Sequence, residues 1–456
     1  MEPVKLKALL SVIIISSGAF LMLIVGTGAS ASAYQSQGLA VDFGGMDVVW
    51  TDADLNVISD PIDLLISVCN ENGFICNITG RTVDGITRDG TDFDSDALKQ
   101  WRFWVILKGD TEWTEIGHPY DVELKGYTTC VWAYCGASER PAVGADQSGN
   151  SIYGYARPQR TVSLSPSITE IFGSLRAVST LVGVDRYSNY PDSVMTGRGT
   201  GDIAVVGDFI APSYELIMGT QPEMVFCDGS QYSHYEMSER LRRSSVGTVV
   251  LYSGESIETI MNNIYIVGVV LNYELAALEV VKELRTAQQT LIDKLYAAHV
   301  GYVTSMLALS PDVDPWVSGK YTYADDMNTL VFGVNAMPSN FYGWVHATPE
   351  AVPSANPSVI IIISSDYHPG EYGTMWGSLS ELWKSTDAYK SGQIYLFCDE
   401  LAEMASRPGP RYMQAMELIA MILHPGAFSQ TLPKAIGGDY EQYLDPAISK
   451  YLGFNN

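Results

Sequence analysis

The hydrophobic and polar positions of this chain contain one pattern that is written twice. Residues 213–226 read Ser213-Tyr-Glu215-Leu-Ile-Met-Gly-Thr-Gln-Pro222-Glu-Met-Val-Phe, and residues 348–361 read Thr348-Pro-Glu350-Ala-Val-Pro-Ser-Ala-Asn-Pro357-Ser-Val-Ile-Ile. Each opens on a hydroxyl residue, carries a Glu two places on, and leaves room for two short helical turns. A Pro then follows seven places after the Glu, and an apolar run ends the unit. A Ser or Thr side chain can accept from the orphan N–H groups of a helix start, and a carboxylate in the first turn suits the positive end of the helix dipole. A proline just past so short a helix stops it, and the β-branched run beyond predicts a strand buried on both faces in a parallel sheet. The two Glu residues stand 135 positions apart. The pattern therefore predicts two similar α/β lobes, each with one Glu at a helix start, and two lobes imply a cleft.

The rest of the patterning extends this picture. Apolar runs at 161–164, 181–184, 224–227 and 248–252 alternate with helical stretches, which predicts parallel βαβ units. Over 272–299, Leu278, Val281, Leu284, Leu291 and Leu295 recur at helical spacing, Asn272 can cap the segment and Glu274 falls in its first turn. That predicts one long helix, without the sustained heptads of a coiled coil. Strands at 302–309, 359–364 and 394–397 and a closing helix at 410–423 make the second lobe. A single helix between the lobes implies a stiff hinge and limited closure. Upstream, runs at 48–50, 101–107 and 127–134 and a helix at 61–69 predict a small α+β domain. The fold class expected is α/β, with two parallel-sheet lobes joined by one long helix and preceded by that small domain. The boundaries read as 1–33 for an N-terminal segment, 40–138 for the small domain and 139–159 for a polar, Gly/Ser-rich linker. The first lobe then spans 160–271, the bridging helix 272–299, the second lobe 300–435 and a tail 436–456.

Composition narrows the function. The 456 residues carry a net charge of −25 with only 27 Lys and Arg, which argues against phosphate-backbone binding and for a solvated acidic exterior. Lys5 and Lys7 precede an apolar run over about 8–25 and the small-residue stretch 26–33, the order of a secretory signal. An uncleaved anchor competes with it, since about 18 apolar residues is near the lower limit for spanning a bilayer. No Cys follows the run, so a lipid-modified signal is excluded. Both alternatives place the remaining chain outside the cytoplasm. There Cys69, Cys76, Cys130 and Cys135 are expected to form two disulfides, with three possible pairings, while Cys227 and Cys398 follow apolar runs and read as buried thiols. Five of the nine tryptophans, at 50, 101, 104, 113 and 132, fall in the small domain, either as the core of a thin fold or as an exposed face for a flat ligand. Asp89, Asp92, Asp94 and Asp96 read as a solvated acidic turn, lacking the Gly and terminal Glu of a calcium loop. Asn77-Ile-Thr79 is a glycosylation sequon.

Residues 160 to about 425 resemble the substrate-binding proteins of ABC importers for vitamin B12, iron–siderophore complexes and haem. The resemblance is carried by Arg160-Thr-Val-Ser-Leu-Ser165-Pro166-Ser167-Ile-Thr-Glu170, Val182-Gly-Val-Asp-Arg-Tyr187-Ser-Asn-Tyr-Pro191, both Glu–Pro segments, Val317-Ser-Gly-Lys-Tyr-Thr-Tyr and Arg407-Pro-Gly-Pro-Arg411, in that order. It implies that Glu215 and Glu350 dock into arginine pockets of a dimeric permease, which works with an ATPase. It further implies a ligand held between the lobes by Ser165, Pro166, Ser167, Tyr187, Phe209, Trp316, Trp344 and Arg407. Phe209 and Trp344 each stand six residues before a docking Glu. Aromatic walls suit a large flat macrocycle, which gains chiefly by apolar burial and stacking. Arg407 can meet a ligand carboxylate or phosphate, or pair within its own lobe. More distantly, the small domain is similar to the C-terminal domain of transcobalamin-like proteins, through Val48-Val-Trp50, the 61–69 helix, Trp101-Arg-Phe-Trp104 and Val131-Trp-Ala-Tyr134. Such a domain would cover a bound corrinoid.

The expected function is capture of a corrinoid, as transported ligand and not as a resident cofactor, for an ABC importer. Ferric siderophore or haem capture is the alternative, and a surface adhesin a third reading. One clear Arg in the conjectured pocket leans toward a neutral macrocycle over an anionic chelate. No resident metal is expected: the six histidines are scattered, and only His346, near Trp344, is placed to meet a metal centre. An enzyme is disfavoured, because the chain has no phosphate loop, no Gly-x-Ser-x-Gly elbow and no His-Glu-x-x-His, and Ser165 and Ser167 have no identifiable base.

Overall fold

The computed structural model describes residues 38–452, apart from 44–47, 108–113, 138–143, 153–157 and a few shorter stretches. The N-terminal segment at 1–33, Trp113, Asn272 and the side chain of Trp50 lie outside the described residues. Among the described residues no helix is long and apolar enough to cross a membrane. The chain divides into two compact units, 1–144 and 145–456.

In the first unit a mixed five-stranded sheet runs in the order Val48–Asp52, Gly38–Asp42, Tyr127–Cys135, Gln100–Leu107 and Thr114–Ile116. The helix Pro61–Asn72 begins where the Asp60 carboxylate accepts from the N–H groups of Ile62 and Asp63, with Pro61 at the first helical position. Trp101, Phe103 and Trp132 join Leu39, Leu64 and Leu65 in the core beneath it. Trp101, Trp104 and Trp132 are thus interior groups, as a small domain with little apolar surface to bury requires. A three-stranded meander, Ile75–Thr79, Thr82–Arg88 and Thr91–Asp94, occupies a stretch with no strong sequence signal. Asp92 accepts from Thr87 there, and Asp96 from the N–H groups of Leu98 and Lys99.

Two disulfides were expected, and one is a correction. Cys69 and Cys76 are joined. Cys130 and Cys135 are not joined to each other: they lie on one strand at an odd separation, so their side chains leave opposite faces of the sheet.

The second unit holds the two lobes. The first lobe is an all-parallel sheet in the order Ala204–Val205, Leu181–Val184, Thr161–Ser163, Met224–Asp228 and Gly247–Leu251. The second lobe has a parallel core of Gly333–Asn335, Val303–Ala308, Val359–Ile363, Ile394–Phe397 and Ala435–Ile436. An antiparallel pair, Trp316–Ser318 with Trp344–His346, extends it beyond the parallel strands. The two strands that follow the repeated Glu–Pro units, Met224–Asp228 and Val359–Ile363, are buried at every residue. The run of Val and Ile in Val359–Ile363, and the apolar Met-Val-Phe-Cys of the first strand, fit strands covered on both faces.

The helix Glu274–Ala297 joins the lobes in the chain. It packs closely on Ile257–Leu271, where a Cβ at Gly268 would sit 2.4 Å from the Ala277 methyl group, so only glycine permits this approach. The helix is not the sole link. Glu170 of the first lobe, on Pro166–Ser174, is buried against Arg407 and Arg411 of the second. Two boundaries also differ from expectation. Asp146 and Gln147, inside the expected linker, belong to the second unit: Asp146 is buried and accepts from Arg242, and the Gln147 N–H donates to the Val250 carbonyl. The expected tail supplies Ile436, the second residue of the strand Ala435–Ile436, and buries Leu444, Ile448 and Leu452.

Candidate functional site

The carboxyl ends of the two sheets face a single cleft of about 1340 Å³. In doubly wound α/β sheets this is where loops leave the strands and diverge. All eight candidate ligand residues line it: Ser165, Pro166, Ser167, Tyr187 and Phe209 from the first lobe, and Trp316, Trp344 and Arg407 from the second.

Ser165 occupies the N-cap position of Pro166–Ser174, yet its hydroxyl does not cap the helix. It turns to Asp228, donating to Oδ2 at 2.8 Å, and lies 2.8 Å from the Ser167 hydroxyl. The other Asp228 oxygen accepts from the Ser230 N–H at 2.9 Å. Beside it, His234 takes the Asp228 N–H on Nδ1 at 2.8 Å and places Nε2 2.7 Å from the Phe209 carbonyl. Burial holds the His234 pKa below the usual imidazole value, although the Asp228 charge opposes this. Ser, His and Asp are thus neighbours, but both ring nitrogens are taken by backbone groups and neither reaches a hydroxyl. The arrangement fixes the cleft wall and presents no imidazole nitrogen to Ser165, whose hydroxyl is held by Asp228.

The second lobe supplies aromatic surface. Trp316 is 49% exposed, and Trp344 stands on the adjoining strand, paired with Ser318. Tyr321 and Tyr342 stack at 5.7 Å on the same side and are also exposed. Tyr187 is half-exposed and its hydroxyl donates to Asp208 at 3.1 Å. His346 does not line the cleft: its ring is tilted against Trp316 at 5.5 Å, with Nε2 3.7 Å from Asp314. Among the described residues no cluster of three or more potential metal ligands is present.

Charge in the cleft is one-sided. Asp228, Glu255, Asp366 and Glu403 line it, against one guanidinium, Arg407. Arg407 is already engaged, donating to Glu170 (3.2 Å), Asn189 (2.9 Å) and the Tyr187 carbonyl (3.2 Å), with Glu403 at 3.4 Å. The expectation left open a partner in the ligand or in its own lobe. The structure gives it Glu403 within the lobe and three partners from the opposite one.

Glu215 and Glu350 lie outside the cleft lining and are both exposed. Ser213 caps the helix Tyr214–Gly219 by accepting from the Leu216 N–H. In the second copy the cap is a correction. Glu350 itself holds the N-cap position of Ala351–Ala355, and Thr348 contributes only its carbonyl, which accepts from the Ala351 N–H. The Pro that follows Thr348 restrains the backbone there, so the helix starts later. Glu215 is also paired with Arg240 at 3.3 Å, whose guanidinium lies 3.6 Å over the Tyr214 ring.

Several lining residues were not singled out from sequence: Gln147, Ser230, Tyr321, Tyr342, Asp366 and Glu403. Tyr321 stands inside a stretch that carried the family resemblance, and Tyr342 is two residues from Trp344, so both had a positional signal. Gln147, in a Gly/Ser-rich run, had none.

The chain is similar to known proteins over the same span. Residues 161–401 match the family model for periplasmic binding proteins. An uncharacterised ABC transporter substrate-binding lipoprotein, YvrC, of Bacillus subtilis strain 168 is 24% identical over 294 residues, covering 64% of this chain and 88% of that protein. Among solved structures, a periplasmic haem-binding protein from Pseudomonas aeruginosa superposes with a TM-score of 0.52 at 18% identity, covering 61% of this chain and 96% of that one. The periplasmic vitamin B12 binding protein BtuF of Vibrio cholerae does so with a TM-score of 0.50 at 20% identity, covering 60% and 99%. These two share the fold. With the two-lobed body, the bridging helix and the cleft between sheet ends matching one family model across more than half its length, the chain belongs to the periplasmic binding protein family.

Proposed function

We propose that the protein captures a corrinoid of the cobalamin kind outside the cytoplasm and delivers it to the transmembrane dimer and ATPase of an ABC importer. The observation that carries the choice of cargo is the charge balance of the cleft. Four carboxylates and several hydroxyls face one guanidinium whose donors are already used. Haem brings carboxylates and ferric siderophores are commonly anionic chelates, and each would leave a charge without a partner in a partly desolvated site. A corrin ring presents primary amides, whose N–H groups suit an excess of acceptors, and its broad faces suit Trp316, Trp344 and Tyr187. The volume, above the range typical of drug-sized pockets, agrees with a bulky solute. Relatives that bind vitamin B12 and haem share the fold, and the YvrC relative supports the transporter partner.

Glu215 and Glu350 are the residues proposed to meet arginines of the permease. Carboxylates exposed at equivalent helix starts on two rigid lobes can each form charge-assisted bonds to a guanidinium. No chemistry on the cargo is assigned: the protein is read as a carrier.

The test is to titrate the chain from about residue 34 onward with cyanocobalamin, haemin and a ferric chelate, following visible spectra and heat. Cyanocobalamin is expected to bind, and Trp344→Ala to weaken it roughly 10- to 100-fold through lost aromatic burial. Glu215→Ala with Glu350→Ala is expected to leave binding intact and to abolish uptake in cells. Binding of haemin or the chelate without cyanocobalamin overturns the cargo. Loss of binding in the double Glu variant overturns the docking assignment.

A further inference from the structure

We propose that His234 is a positioning residue of the cleft: one neutral imidazole ties the loop bearing Phe209 to the strand end bearing Asp228, and so sets how tightly the site holds its ligand. This rests on reading the cleft as the ligand site.

His234 is fully buried near the start of the helix Tyr232–Arg243. Its two ring nitrogens have opposite partners. The Asp228 N–H, at 2.8 Å from Nδ1, can only donate, and the Phe209 carbonyl, at 2.7 Å from Nε2, can only accept. The ring must therefore be neutral with its proton on Nε2, since an imidazolium would turn Nδ1 into a donor facing another donor. The ring also meets the Phe209 ring edgewise at 5.5 Å. Next to it, the Ser233 hydroxyl donates to the Ile210 carbonyl at 2.6 Å, so the start of one helix holds the Phe209 loop at two points.

The other end of the tether matters equally. Asp228 closes the strand Met224–Asp228 and, through Ser165, fixes the hydroxyl pair at the floor of the first lobe. The imidazole thus spans the aromatic wall and the polar floor, whose residues are far apart in the chain. The same loop runs directly into Ser213 and the helix bearing Glu215. An ordinary core histidine satisfies only itself. Here both partners are backbone atoms of residues that line the cleft, so the consequence of removing the ring falls on the site.

The experiment compares the chain from about residue 34 onward with its His234→Ala and His234→Gln variants. A glutamine amide places an acceptor and a donor at about the same separation as the two ring nitrogens, and can restore both bonds. Hydrogen–deuterium exchange of residues 206–213 and cyanocobalamin titration are the readouts, with exchange of Val359–Ile363 as the control for an intact second lobe. His234→Ala is expected to speed exchange in the loop at least tenfold and to weaken cyanocobalamin about tenfold, the usual result of orphaning a buried polar group. His234→Gln is expected to recover most of both. Unchanged loop exchange in His234→Ala overturns the tether. Faster exchange with unchanged affinity overturns its effect on the ligand. Should the wild type not bind cyanocobalamin, the proposed cargo fails while the exchange data still decide the tether. If His234→Ala does not fold, nitrogen chemical shifts of the wild-type ring decide it: a protonated Nδ1 overturns the assignment.

Discussion

Replacing Glu170 by Ala tests how the two lobes are held. Its side chain is 2% exposed and receives three donors from the opposite lobe: Arg411 Nε at 3.1 Å, Arg411 Nη2 at 2.7 Å and Arg407 Nη1 at 3.2 Å. The Arg411 contact is a two-pronged fork, the geometry that gives the strongest ion pairs. Arg411 is equally buried, and without Glu170 it keeps Glu400 at 2.7 Å and the Tyr190 ring at 3.7 Å. The cost is therefore that of stranding one buried guanidinium with partial compensation, about 3–5 kcal/mol. For a unit of this size that lowers Tm by roughly 5–8 °C. Urea and thermal unfolding of the chain from about residue 34 onward measure it. Replacing the pair together, Glu170→Leu with Arg411→Met, is expected to cost less than the single change, because no unpaired charge remains. Acid supplies a second reading. Burial alone would raise the Glu170 pKa, but the two guanidinium groups outweigh it and hold the carboxyl below its ordinary value. A depressed folded pKa means the stabilisation is full above the unfolded value and is lost as the pH falls through the folded one. The difference between wild type and Glu170→Gln should accordingly shrink in strong acid. A Glu170→Ala variant within about 1 kcal/mol of wild type at neutral pH would falsify the reasoning.

Glu417 behaves with the opposite sign. Burial, reinforced by the nearby Asp445 charge, pushes its pKa up to about 7 despite bonds from Ser449 and the Asp445 N–H. The folded state then binds the proton more tightly, so this residue costs stability progressively as pH rises from about 4.5 to 7, on the order of 3 kcal/mol. Urea midpoints at pH 5 and pH 8 should show Glu417→Gln abolishing that part of the decline, and an unchanged slope would refute it. Cys69→Ser with Cys76→Ser opens a loop of sequence separation 7 and should destabilise the first unit by roughly 2–3 kcal/mol, read by urea unfolding with and without reductant. Gly268→Ala should separate the two packed helices and lower Tm by several degrees, because the new methyl has no free space; a neutral result would mean the helices slide apart without cost.

The duplicated Glu–Pro unit made the lobes legible because both of its strands are buried along their length, leaving apolar runs, one of them wholly β-branched. The cleft residues were named through the family resemblance, and Phe209 and Trp344 alone carried a spacing of their own, each six residues before a Glu of the duplicated unit. The pair Trp316–Ser318 and Trp344–His346 escaped as structure, since three residues carry no period, although its tryptophans stood out by type. The Glu170–Arg411 fork joins residues 241 positions apart, and no local pattern signals a contact of that reach. The cap at Thr348 failed because a hydroxyl before a proline resembles an N-cap whether or not the backbone turns there.

The short strand Ala435–Ile436 lies beside Leu396–Phe397, and Ser449 reaches back to Glu417 within the wholly buried helix Tyr412–Leu423. During synthesis the second lobe consequently waits, its sheet margin open and its innermost helix uncovered, until nearly the last twenty residues have emerged. A nascent or truncated chain ending near residue 430 would offer that bare margin to any neighbouring strand. Premature termination here should yield aggregates, not a smaller carrier.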